Sequence, residues 1–137
     1  MKAQVLIAGE AQGEVQGEVL ALTHPISFWG GVNPKTGDII DARHPERGQN
    51  IAGKILALPA MIGSSSAAAV MLELIHAGKA PKALIMPDPD AILLLGVIVA
   101  QEMEWPICPA FALDKESQRA LHGKTIKIER DGNIASV

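Results

Sequence analysis

Apolar residues in this chain occur in short runs separated by longer helical patterns. Short aliphatic runs bounded by glycine, proline or polar residues are typical of strands, and they occur at residues 4–8, 18–22, 54–58, 82–86 and 107–113. Longer apolar patterns predict helices at residues 65–77 and 91–102. From residue 54 onward the predicted order is strand, helix, strand, helix, strand. Parallel strands joined by crossover helices form right-handed units, so the pattern predicts an α/β fold with a central βαβαβ unit and flanking β-strands.

Glycine and acidic residues mark the ends of these predicted elements. Gly78 is expected to end the first helix, and Asp88 or Asp90 to begin the second as its N-cap. Residues 115–121 predict a short helix, and residues 124–137 predict a hairpin whose turn contains an Asp-Gly pair. Turns or a bulge are expected at Gly9, Gly13 and Gly17.

Composition and charge narrow the class of protein. A chain of 137 residues with 48% hydrophobic content can fill one core, so we expect a single domain over residues 1–137. The net charge is −3 and there is no basic block, which argues against a nucleic-acid partner. The longest apolar run, residues 91–100, is too short to span a bilayer, and no secretory leader is recognisable. We therefore expect a soluble protein without membrane contact.

Metal-binding residues are sparse. Cys108 is the single cysteine, so the chain has no disulfide framework and no thiolate set for zinc or an iron–sulfur cluster, and a reducing cytoplasm fits this composition. We expect Cys108 to be a small apolar residue of a buried strand. The four histidines have no metal-ligand spacing and are expected at the surface or at caps, and no metal site is predicted in this chain.

The sequence Gly63-Ser64-Ser65-Ser66 lies between a predicted strand and a predicted helix. Ligands of open α/β sheets bind beyond the carboxyl ends of the strands, and the first turn of a helix offers free N–H groups and the positive end of a dipole. This serine turn is therefore a candidate cradle for a carboxylate or phosphate, and it would also stabilise a serine alkoxide. The alternative is that Ser64 or Ser65 only caps the helix.

Two other classes of function remain open from the residues alone. Gly63–Ala67 loosely matches the nucleophile elbow of esterases, which would make Ser65 the nucleophile of a serine hydrolase. The same turn also suits a noncatalytic module that binds an anionic metabolite. Asp88 or Asp90 is a further candidate acid, although a helix start explains them simply.

The segment between residues 22 and 50 contains three prolines and is not expected to form continuous secondary structure. It holds His24 and His44 in a region where sites often occur. It also holds the pair Phe28-Trp29 followed by two glycines, which suits either the core or a partner interface.

Several short motifs, taken together and in order, resemble a known family. They are SFWGGV at residues 27–32, TGDIID at 36–41, HPERGQ at 44–49, GSSS at 63–66 and VAQE at 99–102. The chain resembles the small, swivel-type subunit of the aconitase X family over nearly its whole length. The resemblance implies a swivelling β/β/α domain that serves a two-subunit hydro-lyase, whose separate large subunit carries iron or an iron–sulfur cluster and assists departure of hydroxide.

The resemblance also implies roles for the serine turn. Aconitase-like swivel domains place a catalytic base in a Gly-Ser-Ser-Arg turn, which would make Ser64 the base, with Ser65 as second choice. Gly63, Ser65 and Ser66 would bind the substrate carboxylate. Ser66 stands where the family's arginine would be, which argues against citrate as substrate. The implied reaction is dehydration of cis-3-hydroxy-L-proline to a pyrroline-2-carboxylate, with mevalonate 5-phosphate as the alternative substrate.

Overall fold

Over residues 1–10 and 13–137, which the computed structural model describes, the chain forms a seven-stranded mixed sheet and four helices. The strands are β1 (Gln4–Ile7), β2 (Val15–Ala21), β3 (Ile55–Ala57), β4 (Ala83–Met86), β5 (Ala110–Ala112), β6 (Thr125–Ile128) and β7 (Ile134–Ser136). The helices are α1 (Phe28–Gly31), α2 (Ala67–His76), α3 (Ala91–Glu102) and α4 (Lys115–Leu121).

The strand order across the sheet is β1-β5-β4-β3-β2-β6-β7. The four strands β2 to β5 pair in parallel, whereas β1, β6 and β7 add antiparallel edges. This confirms the predicted α/β fold, and the βαβαβ unit is β3-α2-β4-α3-β5. Because β2, β3, β4 and β5 run in the same direction, their carboxyl ends meet at one edge of the sheet.

Both faces of the sheet are covered. Leu56 and Leu84 share a core cluster with residues of α2 and α3, whereas Ile55 and Ile85 share a second cluster with residues of α4 and the β6–β7 hairpin. All residues of β3 and β4 are buried for this reason. Strands covered on both faces read as continuous apolar runs rather than alternating ones, which is why these two strands were recognisable.

Several boundaries differ from the predicted ones. The helix α2 begins at Ala67, so the three serines precede it. The strand β5 is shorter than predicted, and Cys108 lies before it, although its side chain is buried. Gly17 pairs with Ile126 inside β2, so the turn expected there is wrong: pairing with β6 extends the strand through the glycine. The glycine-spaced segment also includes Ala11 and Gln12, which lie outside the described residues.

The two crossover helices approach each other closely at Gly96 of α3. A Cβ built at Gly96 would lie 2.6 Å from the carbonyl oxygen of Ala68 and 3.1 Å from Cβ of Met71. Ala68 belongs to the first turn of α2. The absence of a side chain at Gly96 therefore lets α3 support the helix turn that directly follows the serines.

Aspartate side chains cap the N-termini of α3 and α4. Asp90 Oδ1 accepts a hydrogen bond from the Leu93 N–H at 2.9 Å, which confirms Asp90 rather than Asp88 as the N-cap of α3. Asp114 caps α4 in the same way through the Ser117 N–H. The predicted hairpin is formed by β6 and β7. Within the described ranges, no helix has both the length and the apolar character needed to cross a membrane.

Candidate functional site

The serine turn lies beyond the carboxyl end of β3, as predicted. After β3 the chain passes beside the segment that follows β2: Met61 forms a parallel bridge with Ile26, and the Ile62 N–H donates to the carbonyl oxygen of Ile26 at 3.1 Å. Gly63 follows directly. The turn is thus held at the ligand-binding edge of the sheet by strand β3 on one side and by helix α2 on the other.

The hydrogen bonds within the serine turn differ from the predicted helix cap. Ser64 Oγ accepts a hydrogen bond from the Ser66 N–H at 3.2 Å, and the Ser64 carbonyl oxygen accepts one from the Ala67 N–H at 3.1 Å. Ser66 occupies the N-cap position, but its side chain makes no capping hydrogen bond. The expectation that Ser64 or Ser65 is the N-cap is therefore wrong, because the helix begins after the third serine.

The turn is open to a ligand. Ser65 is exposed, Ser64 and Ser66 are half-buried, and a Cβ added at Gly63 would meet no atom within 4 Å. In the part of the chain that the structure describes, the N–H groups of Ala68 and Ala69 have no hydrogen-bond acceptor. Free amides and the positive end of a ten-residue helix thus face an accessible surface, which suits an anion.

Two depressions are lined in part by the residues that directly precede the serine turn. Met61 lines a depression of about 280 Å³ together with the loop that leads into α3; its charged lining residues are Asp88, Asp90 and Lys115. Ile62 lines the other, of about 350 Å³; its charged and imidazole lining residues are His24, Asp41, Arg43 and His44. None of the three serines lines either depression, so a second surface is needed to enclose a substrate at the turn.

A hydrogen-bond network holds the wall of the second depression. The Thr23 N–H and hydroxyl both donate to the carboxylate of Glu46, with Oγ1 2.8 Å from Oε1 and 3.0 Å from Oε2. His44, which is only 6% exposed, accepts from the Glu46 N–H at Nδ1 and donates from Nε2 to the carbonyl oxygen of His24. The network ties the segment after β2 to the loop at residues 41–48.

The exposed imidazole of His24 joins the same network. Its Nδ1 lies 2.9 Å from Thr23 Oγ1, whose hydroxyl also donates to the carboxylate of Glu46. Among the described residues, no imidazole hydrogen-bonds with any of the three serines, so the geometry offers no serine–histidine pair of the kind a hydrolase uses.

The aromatic pair is divided between core and surface. Phe28 is 0% exposed and packs in the core, so its ring is not available to a partner in this fold, contrary to its predicted interface role. Trp29 is 63% exposed and lines an apolar depression of about 330 Å³ with Ile40 and with Ala69 of the first turn of α2. An interface through Trp29 stays a prediction.

The remaining candidate ligands do not form a metal centre. Burial raises the pKa of the Cys108 thiol to about 12, and this single buried thiol does not fit an iron–sulfur cluster. Within residues 1–10 and 13–137, no three His, Cys, Asp or Glu side chains are grouped so that they could hold a metal ion. His76 contacts Trp105, with 4.7 Å between ring centroids, and His122 Nδ1 accepts from the Ala21 N–H.

The sequence patterns did not predict that His44 and Glu46 hold the segment after β2 by hydrogen bonds. Both lie in the motif HPERGQ, but neither pattern nor spacing indicates that His44 is buried and joined to residues twenty positions earlier. The one local signal is Pro45 directly after His44, which indicates a turn but not burial. We had assigned all four histidines to the surface or to caps, which is wrong for His44.

A family model for the aconitase X swivel domain matches residues 2–137 of this chain. The chain belongs to the aconitase X swivel-domain family. The resemblance inferred from the motifs is thereby confirmed. The solved aconitase X of Thermococcus kodakaraensis, in its holo-form, superposes with a TM-score of 0.81 at 31% identity, covering 100% of this chain and 98% of that one.

Named relatives of this swivel domain include two kinds of dehydratase. The chain is 44% identical over 100 residues to the cis-3-hydroxy-L-proline dehydratase of Pseudomonas aeruginosa, a match that covers 73% of this chain but only 17% of that protein. It is 46% identical over 88 residues to the phosphomevalonate dehydratase small subunit of Thermococcus gammatolerans, covering 64% of this chain and 67% of the relative. The chain thus spans a small part of the first relative and most of the second.

Proposed function

We propose that this chain is the swivel subunit of an aconitase X-type hydro-lyase that dehydrates a small hydroxy acid. The single observation that carries the proposal is the open serine turn at the start of α2, in a member of a family whose relatives are named dehydratases. Our preferred substrate is cis-3-hydroxy-L-proline, with a pyrroline-2-carboxylate as product. Mevalonate 5-phosphate is the alternative.

We assign the base to Ser64. Of the three serine oxygens, Ser64 Oγ is the one that already accepts a backbone N–H, from Ser66. A hydrogen bond to the charged form and the nearby helix N-terminus both favour an alkoxide, which an ordinary alcohol near pH 7 does not form. The alkoxide takes the proton from the carbon next to the carboxylate, and the electron pair left on that carbon forms the new double bond as the C–O bond on the neighbouring carbon breaks and hydroxide leaves.

The rest of the turn binds the carboxylate. Ser65 and Ser66 supply hydroxyl donors, Gly63 leaves room for close approach, and the free N–H groups of Ala68 and Ala69 add main-chain donors. A preorganised set of donors stabilises the charge that develops on the carboxylate as the proton leaves. We assign this chain no role in the departure of the hydroxyl group.

A large subunit is the partner that this proposal requires. Trp29, Ile40 and Ile62 are exposed apolar side chains around the serine turn, and a partner that covers them would also exclude water from the base. We expect the large subunit to carry iron or an iron–sulfur cluster, since the residues of this chain do not fit one. A cytoplasmic location and a single domain over residues 1–137 are likewise predictions.

Reconstitution tests the proposal. The chain is co-expressed with its large subunit, and dehydration of both candidate substrates is measured. Ser64→Ala should lower kcat by about 10²- to 10⁴-fold, the range for loss of a general base, while the complex still forms. Ser65→Ala removes a carboxylate donor rather than the base, so it should raise KM and keep more of kcat than Ser64→Ala does. Ser136→Ala is the matched control, because Ser136 is exposed at the end of β7 and has no role at the site, and it should leave both constants unchanged. Near-normal turnover by Ser64→Ala, or labelling of Ser65 by a fluorophosphonate probe in the chain without its partner, would contradict the assignment.

A further inference from the structure

The depression beside Ile62 presents groups of both charges. It is lined by Arg43 and Asp41, with the imidazole of His24 beside them. We propose that this depression binds the zwitterionic head of an α-amino acid substrate, with the Arg43 guanidinium on the carboxylate and the Asp41 carboxylate on the ammonium group. The inference rests on the proposed function and names the class of its substrate.

Both charged groups are available to a ligand. Asp41 Oδ1 accepts the Arg43 N–H at 3.0 Å, which fixes the carboxylate at the start of the loop. Among the described residues, Oδ2 of Asp41 has no donor and the Arg43 guanidinium has no acceptor. The two side chains form no ion pair with each other, so each can pair with an oppositely charged group of one small molecule.

The histidine adds a ring nitrogen to the depression. Among the described residues, Nε2 of His24 has no hydrogen-bond partner, so it can pair with a polar group of the substrate. The ring is held by the Thr23–Glu46 contact, and the backbone of His24 is held by buried His44. The wall of the depression is therefore ordered before a ligand arrives, which lowers the entropic cost of binding.

The position of the depression fits the reaction. Ser64 is two residues from Ile62, so their Cα atoms are at most about 7.6 Å apart. An amino acid carries its carboxylate and nitrogen on the same carbon, so anchoring both groups here fixes the position of that carbon close to the residue that leads into the serine turn. One carboxylate oxygen can accept from the turn while the other faces Arg43, since each oxygen has two lone pairs.

The acidic residue is what distinguishes the two candidate substrates. Mevalonate 5-phosphate can place a negative group on Arg43, but it has no cationic group to pair with the Asp41 carboxylate, which would then face only negative charge. A cyclic amino acid such as hydroxyproline brings a positive nitrogen instead. The lining thus favours the amino acid over the phosphate ester.

Competitive inhibition of the assembled enzyme tests this inference. L-proline and cyclopentanecarboxylate share a five-membered ring and a carboxylate, but only L-proline has the charged nitrogen. In the complex with the large subunit, L-proline should inhibit dehydration of cis-3-hydroxy-L-proline roughly tenfold more strongly than cyclopentanecarboxylate. Asp41→Asn keeps an oxygen for the Arg43 N–H and should abolish that preference, whereas Arg43→Ala should weaken both inhibitors roughly 10- to 100-fold.

Arg47→Ala is the matched control, since Arg47 is exposed on the same loop and does not line the depression. It should leave both inhibition constants unchanged. Equal inhibition by the two compounds in the unaltered complex, full preference for L-proline in Asp41→Asn, or unchanged constants in Arg43→Ala would each overturn the inference.

The dehydration assay and an NMR titration together distinguish failure of this inference from failure of the proposed function. A complex that dehydrates mevalonate 5-phosphate but not hydroxyproline overturns the inference and leaves the hydro-lyase class intact. If the complex dehydrates neither compound, the proposed function fails, and an NMR titration of this chain with L-proline decides the binding claim. Shifts of the Arg43 Nε–H signal that are lost in Asp41→Asn support it, and their absence in the unaltered chain refutes it.

Discussion

Gly96→Ala tests whether the contact between the two crossover helices supports the serine turn. The new Cβ would lie 2.6 Å from the Ala68 carbonyl oxygen, 3.2 Å from Ala68 Cα and 3.1 Å from Met71 Cβ. Cβ atoms essentially never approach another heavy atom closer than 3.0 Å, so α3 and the first turn of α2 must separate by about 0.4 Å or more. The close contacts are with backbone atoms of Ala68 and with the buried Met71, which cannot move aside without disturbing the core.

The magnitude follows from two opposing effects. Overpacking in a well-packed core costs about 1–3 kcal/mol, whereas alanine is about 1 kcal/mol better than glycine inside a helix. Because the overlap is with backbone atoms, the cost lies in the upper part of the overpacking range, about 2–3 kcal/mol. We therefore expect Gly96→Ala to lower the free energy of unfolding by about 1–2 kcal/mol, which corresponds to a drop in Tm of roughly 3–8 °C for a chain of this size. In the complex, displacement of the first turn of α2 should also reduce kcat.

Urea denaturation followed by circular dichroism measures this effect. Gly63→Ala is the matched control for stability, because a Cβ there meets no atom within 4 Å and we expect a change within about 0.5 kcal/mol. The reasoning would be refuted if Gly96→Ala raised the free energy of unfolding by about 1 kcal/mol, which is the helix-propensity difference between alanine and glycine alone. That result would mean that the two helices do not pack closely at Ala68.

Three further predictions concern groups outside the helix contact. His44→Ala leaves the Glu46 N–H and the His24 carbonyl without their partner, so the free energy of unfolding measured in a urea titration should fall by about 2 kcal/mol or more. A decrease in this free energy no larger than that caused by His24→Ala would argue against the network. Hydrogen bonds from the Ser117 hydroxyl and then from the Ser117 N–H hold the pKa of Asp114 below 3.8, so the stabilising contribution of Asp114 is present above pH 3.8 and is lost as the pH falls through the lowered pKa. The decrease in Tm on acidification should therefore be smaller in Asp114→Ala than in the unaltered chain, and an unchanged dependence of Tm on pH would contradict the cap. The thiol of Cys108, with its pKa raised to about 12 by burial, should not react with a disulfide reagent at pH 8 until denaturant is added, and rapid labelling of the native chain would show that the segment before β5 is open.

Secondary structure in the middle of this chain was predictable because local pattern and tertiary burial agree there. Strands β3 and β4 are covered on both faces, so their residues are continuously apolar. The helices that follow them have recognisable end signals, such as Gly78 after α2 and Asp90 before α3. The prediction was wrong where pairing overrides local preference. Gly17 predicts a turn by itself, but its register with Ile126 of β6 keeps it inside a strand.

The candidate site was predictable in part for the same reason. A polar turn after a buried strand and before a helix must lie at the carboxyl edge of a parallel sheet, so the position of Gly63–Ser66 followed from element order. The internal geometry did not, because the sequence contains no signal for which serine precedes the helix and which accepts the Ser66 N–H. Likewise Phe28 and Trp29 are adjacent and chemically similar, yet one is buried and the other is exposed.

The sequence by itself determined three things. The apolar pattern and the helix-end residues determined the α/β class and the βαβαβ order, and the ordered short motifs determined the family. These are properties of consecutive residues, whose backbone and side-chain spacing is local. Only the tertiary structure decided that His24, Asp41 and Arg43 line one depression with Ile62, and that His44 is buried behind it. Contacts between residues twenty or more positions apart depend on how the irregular segment folds back over β2 and β3, and no periodic pattern encodes that path.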